Sequence, residues 1–243
     1  TLMTKGINPW LAVAITLVVA ILVGVFNGVL VAKFKLPPFI ATLGSMTIAR
    51  GIAQIVNNNY NTDSIGQAAD GFRNFFYYGS QLGIYNTIWI AVVLFLIFNF
   101  VLKRMRTGRY IYAIGSNVEA SRLSGINVVS TTIKVYVVSA VCAAIVGFIT
   151  TASSGMGAMD AGNGYEMYAV AASVIGGVST LGGQGLLIGT VVGASIWAVL
   201  QNGLQFVGAP VAIRNIVIGT IVIVSVLMDI VLRYRGKTKK KTT

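Results

Sequence analysis

Long apolar runs separated by short polar stretches dominate the chain. Seven such runs stand out, at about 9–32, 39–56, 87–102, 133–152, 167–178, 186–206 and 215–232. A helix that crosses a bilayer needs about 20 mostly apolar residues. Six of the runs approach or reach that length. The fifth is too short to span comfortably and predicts a half-helix, or re-entrant segment, broken by the glycine-rich stretch 176–185. The pattern therefore predicts an all-α, polytopic transmembrane helix bundle forming one domain over 1–243, with a basic tail at 233–243.

Composition agrees with this pattern. The chain is 56% hydrophobic and 10% charged, with a mean hydropathy of +0.81. Soluble domains carry about 25% charged residues, so water is not the solvent of most of this surface. Histidine is absent, which excludes His-based catalysis and His-ligated zinc. Cys142, the single cysteine, lies in an apolar run and reads as a packing residue. The acids Asp63, Asp70, Glu119, Asp160, Glu166 and Asp229 show no spacing that pairs two carboxylates on one helix face.

The net charge of +12 raises the possibility of nucleic acid, but the basic residues sit beside the apolar runs. They cluster at Lys33 and Lys35, between Lys103 and Lys134, and from Arg233 to Lys241. Such a bias marks cytoplasmic connections, which makes a nucleic-acid partner unnecessary. Runs one, three, five and seven then point inward, and two, four and six outward. The connections 57–86 and 153–166, which hold Asp63, Asp70, Asp160 and Glu166, face outside. Thr1 also falls outside, so the reading expects further N-terminal spans, odd in number, before this sequence.

Local signals support the helix ends. Asn8-Pro9 suits a helix start, and Pro37-Pro38 separates the first two runs. Gly24 and Gly28, and Gly185, Gly189 and Gly193, form small-residue faces that read as helix-packing surfaces. Asn27-Gly28 and Asn202-Gly203 close two runs of opposite direction, as an inverted repeat would. Phe75, Phe76, Tyr77 and Tyr78 read as an interfacial aromatic anchor. Arg50, inside the second run, reads as snorkelling or lining a vestibule. Asp229 and Arg233 are placed for an ion pair along a helix. Gly236-Lys237-Thr238 lacks the earlier glycine and the strand of a phosphate-binding loop. Gly155-Met156-Gly157 likewise fails as a dinucleotide fingerprint.

The connection around 107–127 is the most informative. Asn117 can cap a helix that begins near Val118, and Gly125 can end it, giving a short helix over 118–124. Glu119 lies in its first turn, where the helix dipole favours an acid, and Ala120 and Leu123 supply a small apolar face. Such a segment reads either as a solvated connector or as a docking helix for a cytoplasmic partner.

Several stretches together resemble the permeases of ribose-type ABC transporters. One comprises Gly108, Arg109, Tyr112, Ala113, Gly115, Asn117, Ala120, Leu123, Ser124, Gly125 and Ile126. A second runs from Gly162-Asn-Gly-Tyr-Glu166 through Ala169-Val-Ala-Ala172 to Ile175-Gly-Gly-Val-Ser-Thr-Leu-Gly-Gly-Gln-Gly185. The others are Pro38-Phe-Ile-Ala-Thr-Leu43 and Asn202-Gly-Leu204. They occur in family order across most of the chain. The resemblance implies a transport subunit, not an enzyme, of a bacterial ABC importer in the cytoplasmic membrane. Its partners would be an ABC ATPase subunit, an extracellular solute-binding protein and a second permease copy, within the lipid membrane. No cofactor would be bound directly, ATP and magnesium being held on the ATPase. The family has about ten spans, so seven here and three before them would fit. Tyr168 departs from the acid that relatives often carry at that position.

The resemblance also implies roles. Gly115, Asn117, Glu119, Ala120, Leu123, Ser124, Gly125 and Ile126 would couple to the ATPase. Asp160, Asn163 and Glu166 would contact the binding protein or form a solvated loop. Polar residues inside the runs, namely Asn27, Thr42, Ser45, Thr47, Asn202 and Gln205, would line the pathway or bond helix to helix. A monosaccharide such as ribose is the expected solute, with nucleosides or branched-chain amino acids as alternatives. An ion-coupled secondary transporter or channel is the reading from another class, and it lacks the acids or histidines within spans that ion sites use.

Overall fold

The computed structural model describes residues 1–66 and 69–239, with the side chains of 218, 222 and 228–239 excepted. Helices account for nearly all of the regular structure. They are α1 (Pro9–Ala32), α2 (Pro38–Val56), α3 (Asp70–Arg73), α4 (Asn86–Arg104), α5 (Arg106–Ser116), α6 (Val118–Leu123), α7 (Val128–Ser154), α8 (Tyr165–Ile175), α9 (Leu187–Phe206) and α10 (Val211–Lys239). A π-helical turn, Asn74–Tyr78, continues α3, and a two-stranded antiparallel hairpin pairs Ser80–Gln81 with Ile84–Tyr85. Among the described residues, five of these helices, α1, α2, α4, α7 and α9, are long and apolar enough to cross a membrane. The fold is the all-α polytopic membrane bundle that the hydrophobic pattern predicts.

The local reasons are those expected of the sequence. Asn8 caps α1 by accepting from the Trp10 backbone N–H at 2.9 Å, with Pro9 in the first turn. Pro37 and Pro38 open α2. The half-helix is α8, with only 11 residues. Its C-terminal residue Ile175 leads directly into the glycine break. The last helix begins at Val211, immediately after Pro210 and four residues before the pattern places it. The Asp229–Arg233 pair lies among side chains that are not described, and the tail lysines Lys240 and Lys241 lie outside the described residues altogether.

Contacts divide the chain into two compact units, 1–107 with 122–162 and 108–121 with 163–243. In the first, α1 packs along α7. Gly24 and Gly28 permit it: a Cβ on Gly24 would lie 2.7 Å from Val137 Cα, and one on Gly28 would lie 2.8 Å from Ile133 Cα. One end of this unit holds a small core of Ile65, Ala69, Phe72, Phe76, Phe148 and Ala152. Phe76 is therefore not part of an interfacial anchor. Its ring packs on Phe72 and Phe148, while Phe75 and Tyr78 stay exposed. The described residues of the outer connection 57–86 thus include a folded element, formed by Ile65 and residues 69–85. Gly155 ends α7 with φ of 71°, and its carbonyl accepts from Ile65 N–H at 2.9 Å.

In the second unit α8 packs on α9, and α10 on α8. Ala171, Ala172 and Trp197 form its buried core, with Tyr168, Ile175 and Ile221 against it. Gly189 and Gly193 face α8 so closely that a Cβ on either would strike a backbone carbonyl, of Gly176 or Ala172 respectively. Gly185 does not share that face. It precedes α9, at φ of 154°, and abuts Val178.

Candidate functional site

The basic connection between α4 and α7 is more ordered than its sequence suggests. Its first part is the helix α5, unanticipated because Gly108 and Gly115 weaken helix propensity. Its second part is the expected short helix, α6, ending one residue earlier than predicted. Asn117 is the joint between them. Its N–H donates to Ala113 O at 3.0 Å, and its side-chain Oδ1 accepts from Ala120 N–H at 3.0 Å. Its carbonyl accepts from the Ser121 N–H at 3.1 Å and hydroxyl at 2.8 Å. Gly125, at φ of 79°, turns the chain after α6. Glu119 sits in the first turn and is exposed, as are Ala120, Ser124 and Gly125. Ile126 is half-buried. Leu123 is 88% exposed, a large apolar side chain standing on a charged connection.

Gly115 has a different setting from its neighbours. A Cβ there would collide with the backbone nitrogen of Gly183. Conversely, a Cβ on Gly182 would lie 2.8 Å from Gly115 O, and one on Gly183 would lie 2.7 Å from Ser116 N. The Tyr112 hydroxyl donates to Gly185 O at 2.9 Å. Helix α5 therefore sits backbone to backbone on the glycine break that follows α8. Beside that break a groove of about 290 Å³ runs along α8, lined by Ala169, Val170, Ser173, Val174 and Val178.

The residues expected to meet a binding protein are exposed. Asp160 belongs to the first unit, and Asn163 and Glu166 to the second. Glu166 lies in the first turn of α8. The chain leading to Asp160 is pinned by the opposite connection. Thr62 N–H donates to Gly157 O at 2.9 Å, Gly157 N–H to Thr62 Oγ1 at 2.7 Å, and Met159 N–H to Asn61 Oδ1 at 2.9 Å. Arg73 reinforces this end, with Nε donating to Ala152 O at 3.3 Å and its guanidinium 4.9 Å from the Tyr78 ring centre. None of these long-range partners has a signal in the sequence.

The polar residues within spans differ in what their groups do. Thr42 donates to Pro38 O, Ser45 to Thr42 O and Thr47 to Leu43 O, each within α2. Asn27 Oδ1 in α1 is buried with no hydrogen-bond partner among the described residues. Asn202 and Gln205, three apart on α9, are exposed. Arg214, placed by the pattern just before the last span, lies inside α10, and its Nε is buried with no hydrogen-bond partner among the described residues. Its position after Pro210 is the signal that could have found it.

The model of the family described as "Branched-chain amino acid transport system / permease component" matches residues 1–226. The chain belongs to this permease family. Its relatives include the ribose import permease protein RbsC of Escherichia coli K12, 38% identical over 92% of this chain and 70% of that protein. The D-allose transport system permease protein AlsC of the same strain is 36% identical over 94% of this chain and 69% of its own length. The fructose import permease protein FruF of Bifidobacterium longum is 36% identical over 93% and 64% respectively. No solved structure matches the chain. Family and apolar helices together make the permease a multi-pass protein of the bacterial inner membrane.

Proposed function

We propose that the permease forms the translocation pathway for a monosaccharide in an ABC importer, powered by a separate ATPase and fed by an extracellular binding protein. The observation that carries the solute class is the set of relatives named for ribose, allose and fructose, aligned over more than nine-tenths of this chain. Coupling to the ATPase is assigned to Gly115, Asn117, Glu119, Ala120, Leu123, Ser124, Gly125 and Ile126. The support is the capped helix α6 and its exposed Leu123, since a docking contact needs a rigid element with an apolar side chain to bury. ATP and magnesium belong to that partner.

Asp160, Asn163 and Glu166 are assigned to the binding protein: Asp160 is exposed just after a stretch held by the bonds between 61–62 and 157–159, and Asn163 and Glu166 are exposed around the start of α8. Asn27, Thr42, Ser45, Thr47, Asn202 and Gln205 are assigned to the pathway. A sugar needs hydrogen bonds there, but ones weak enough to release it. Asn27 Oδ1 is the strongest of these, because an unpaired buried acceptor costs about 1–3 kcal/mol and gains from a donor that a solute brings. A second permease copy is assigned to the apolar surface of α4, none of whose residues is buried among the described residues.

Proteoliposomes holding the permease with its ATPase and binding protein test the reading with labelled ribose, allose, fructose and leucine. ATP-dependent accumulation of one of the sugars is expected. Accumulation of leucine alone would move the assignment to branched-chain amino acids. Uptake driven by an ion gradient without ATP would replace the importer mechanism.

A further inference from the structure

We infer that Tyr112 and Gly115 fasten the cytoplasmic helix α5 to the glycine break between α8 and α9, so that a displacement at the ATPase-docking helix moves the half-helix as one piece. The inference rests on the proposed importer reading and adds to it the residues that transmit the stroke. Tyr112 is a positioning residue: it acts on the break, not on solute.

A chain of contacts runs from α6 to the glycine break. Asn117 locks the end of α5 to the start of α6 with bonds to Ala113, Ala120 and Ser121. One turn earlier, the Tyr112 hydroxyl holds Gly185 O at 2.9 Å. Between these two points Gly115 meets Gly182 and Gly183 with no side chain interposed on either side. Backbone-to-backbone seating leaves no flexible atoms to absorb a shift, and packed interfaces move between discrete arrangements instead of deforming smoothly.

The break is itself stiffened from within. Gly182 and Gly183 hold φ of 87° and 72°, where a side chain would be strained. Ser179 N–H donates to Gln184 O at 3.0 Å, and Val178 N–H to Ser173 O at 3.0 Å. At its near end Gly176 lies against the backbone of Gly189 and Thr190 in α9. The sequence of rigid joints therefore runs from α6 through α5 and the break to both α8 and α9. A glycine-rich loop that only connected two helices would need none of these contacts.

The test uses the full-length permease in nanodiscs, alone and with its ATPase, as wild type, Tyr112→Phe and Gly115→Ala. Tyr112→Phe keeps the ring and removes one hydrogen bond. A bond of that kind is worth about a factor of five in an equilibrium. Amide exchange over 176–186 is expected to accelerate about fivefold in Tyr112→Phe, measured on the permease alone. With the ATPase bound at wild-type stoichiometry, solute moved per ATP hydrolysed is expected to fall about fivefold while hydrolysis continues. Gly115→Ala, whose Cβ would strike the Gly183 backbone, should accelerate exchange over 176–186 more than Tyr112→Phe does. Unchanged exchange in both variants overturns the inference. So does accelerated exchange with unchanged solute per ATP, since the fastening would then transmit nothing. If exchange accelerates as expected but no ATPase is retained by the wild type, the fastening stands and the importer reading is what fails.

Discussion

Two helix pairs carry the packing of this permease, and they use glycine differently. In α1–α7, helices of 24 and 27 residues lie side by side, and Gly24 and Gly28 leave room for the backbone and side chains of Val137, Ile133 and Ala140. In α8–α9, an 11-residue helix meets one of 20, and Gly176, Gly189 and Gly193 bring main chain onto main chain. The first pair is a long span against a long span, with apolar contact distributed along it. The second is short, so it concentrates its contact at a few glycines next to a break in the helix. Without a hydrophobic driving force between helices in lipid, close packing of small residues is what holds such pairs. A pair built on few contacts is more sensitive to each of them.

Gly189→Val gives the largest expected effect. The added side chain strikes the Gly176 carbonyl, which cannot rotate away. A loss of about 3 kcal/mol is expected, read as a lowered thermal midpoint of the purified permease. Gly24→Val should cost about 2 kcal/mol, because the obstacle is shared among Val137, Tyr136 and Ala140. Equal losses, or a larger one at Gly24, would break the comparison between the pairs.

Asn117→Ala removes the cap that joins α5 to α6 and is expected to cost about 1 kcal/mol. Titration of the ATPase onto immobilised permease should show about fivefold weaker retention. Thr42→Val has the smallest expected effect. Its hydroxyl is spent on Pro38 O within α2, so stability should change by less than about 0.5 kcal/mol. A KM for uptake raised about twofold at unchanged stability would place Thr42 on the pathway; an unchanged KM would remove it.

The legible parts of this protein were local. Asn8-Pro9 marked the start of α1, Asn117 and Gly125 bounded α6, and the shortness of the fifth apolar run foretold α8. Each depends on residues within a turn or two of one another. Helix α5 was missed because its two glycines hide a helix that packing supports. Phe76 was misread because four consecutive aromatics look like a membrane belt until Phe148, far along the chain, claims one of them. The Tyr112–Gly185 bond spans 73 residues and could not be read from spacing. Sequence patterns located the parts of the candidate site, and tertiary packing joined Tyr112 and Gly115 to the glycine break.

Affinity purification of the tagged permease from its native membranes, followed by mass spectrometry, tests the central claim most directly. An ATP-binding-cassette subunit is expected at stoichiometric yield with the wild type and lost from Glu119→Arg, which reverses the charge in the first turn of α6. Purification without any such subunit, from membranes that still take up the solute, would contradict the importer account.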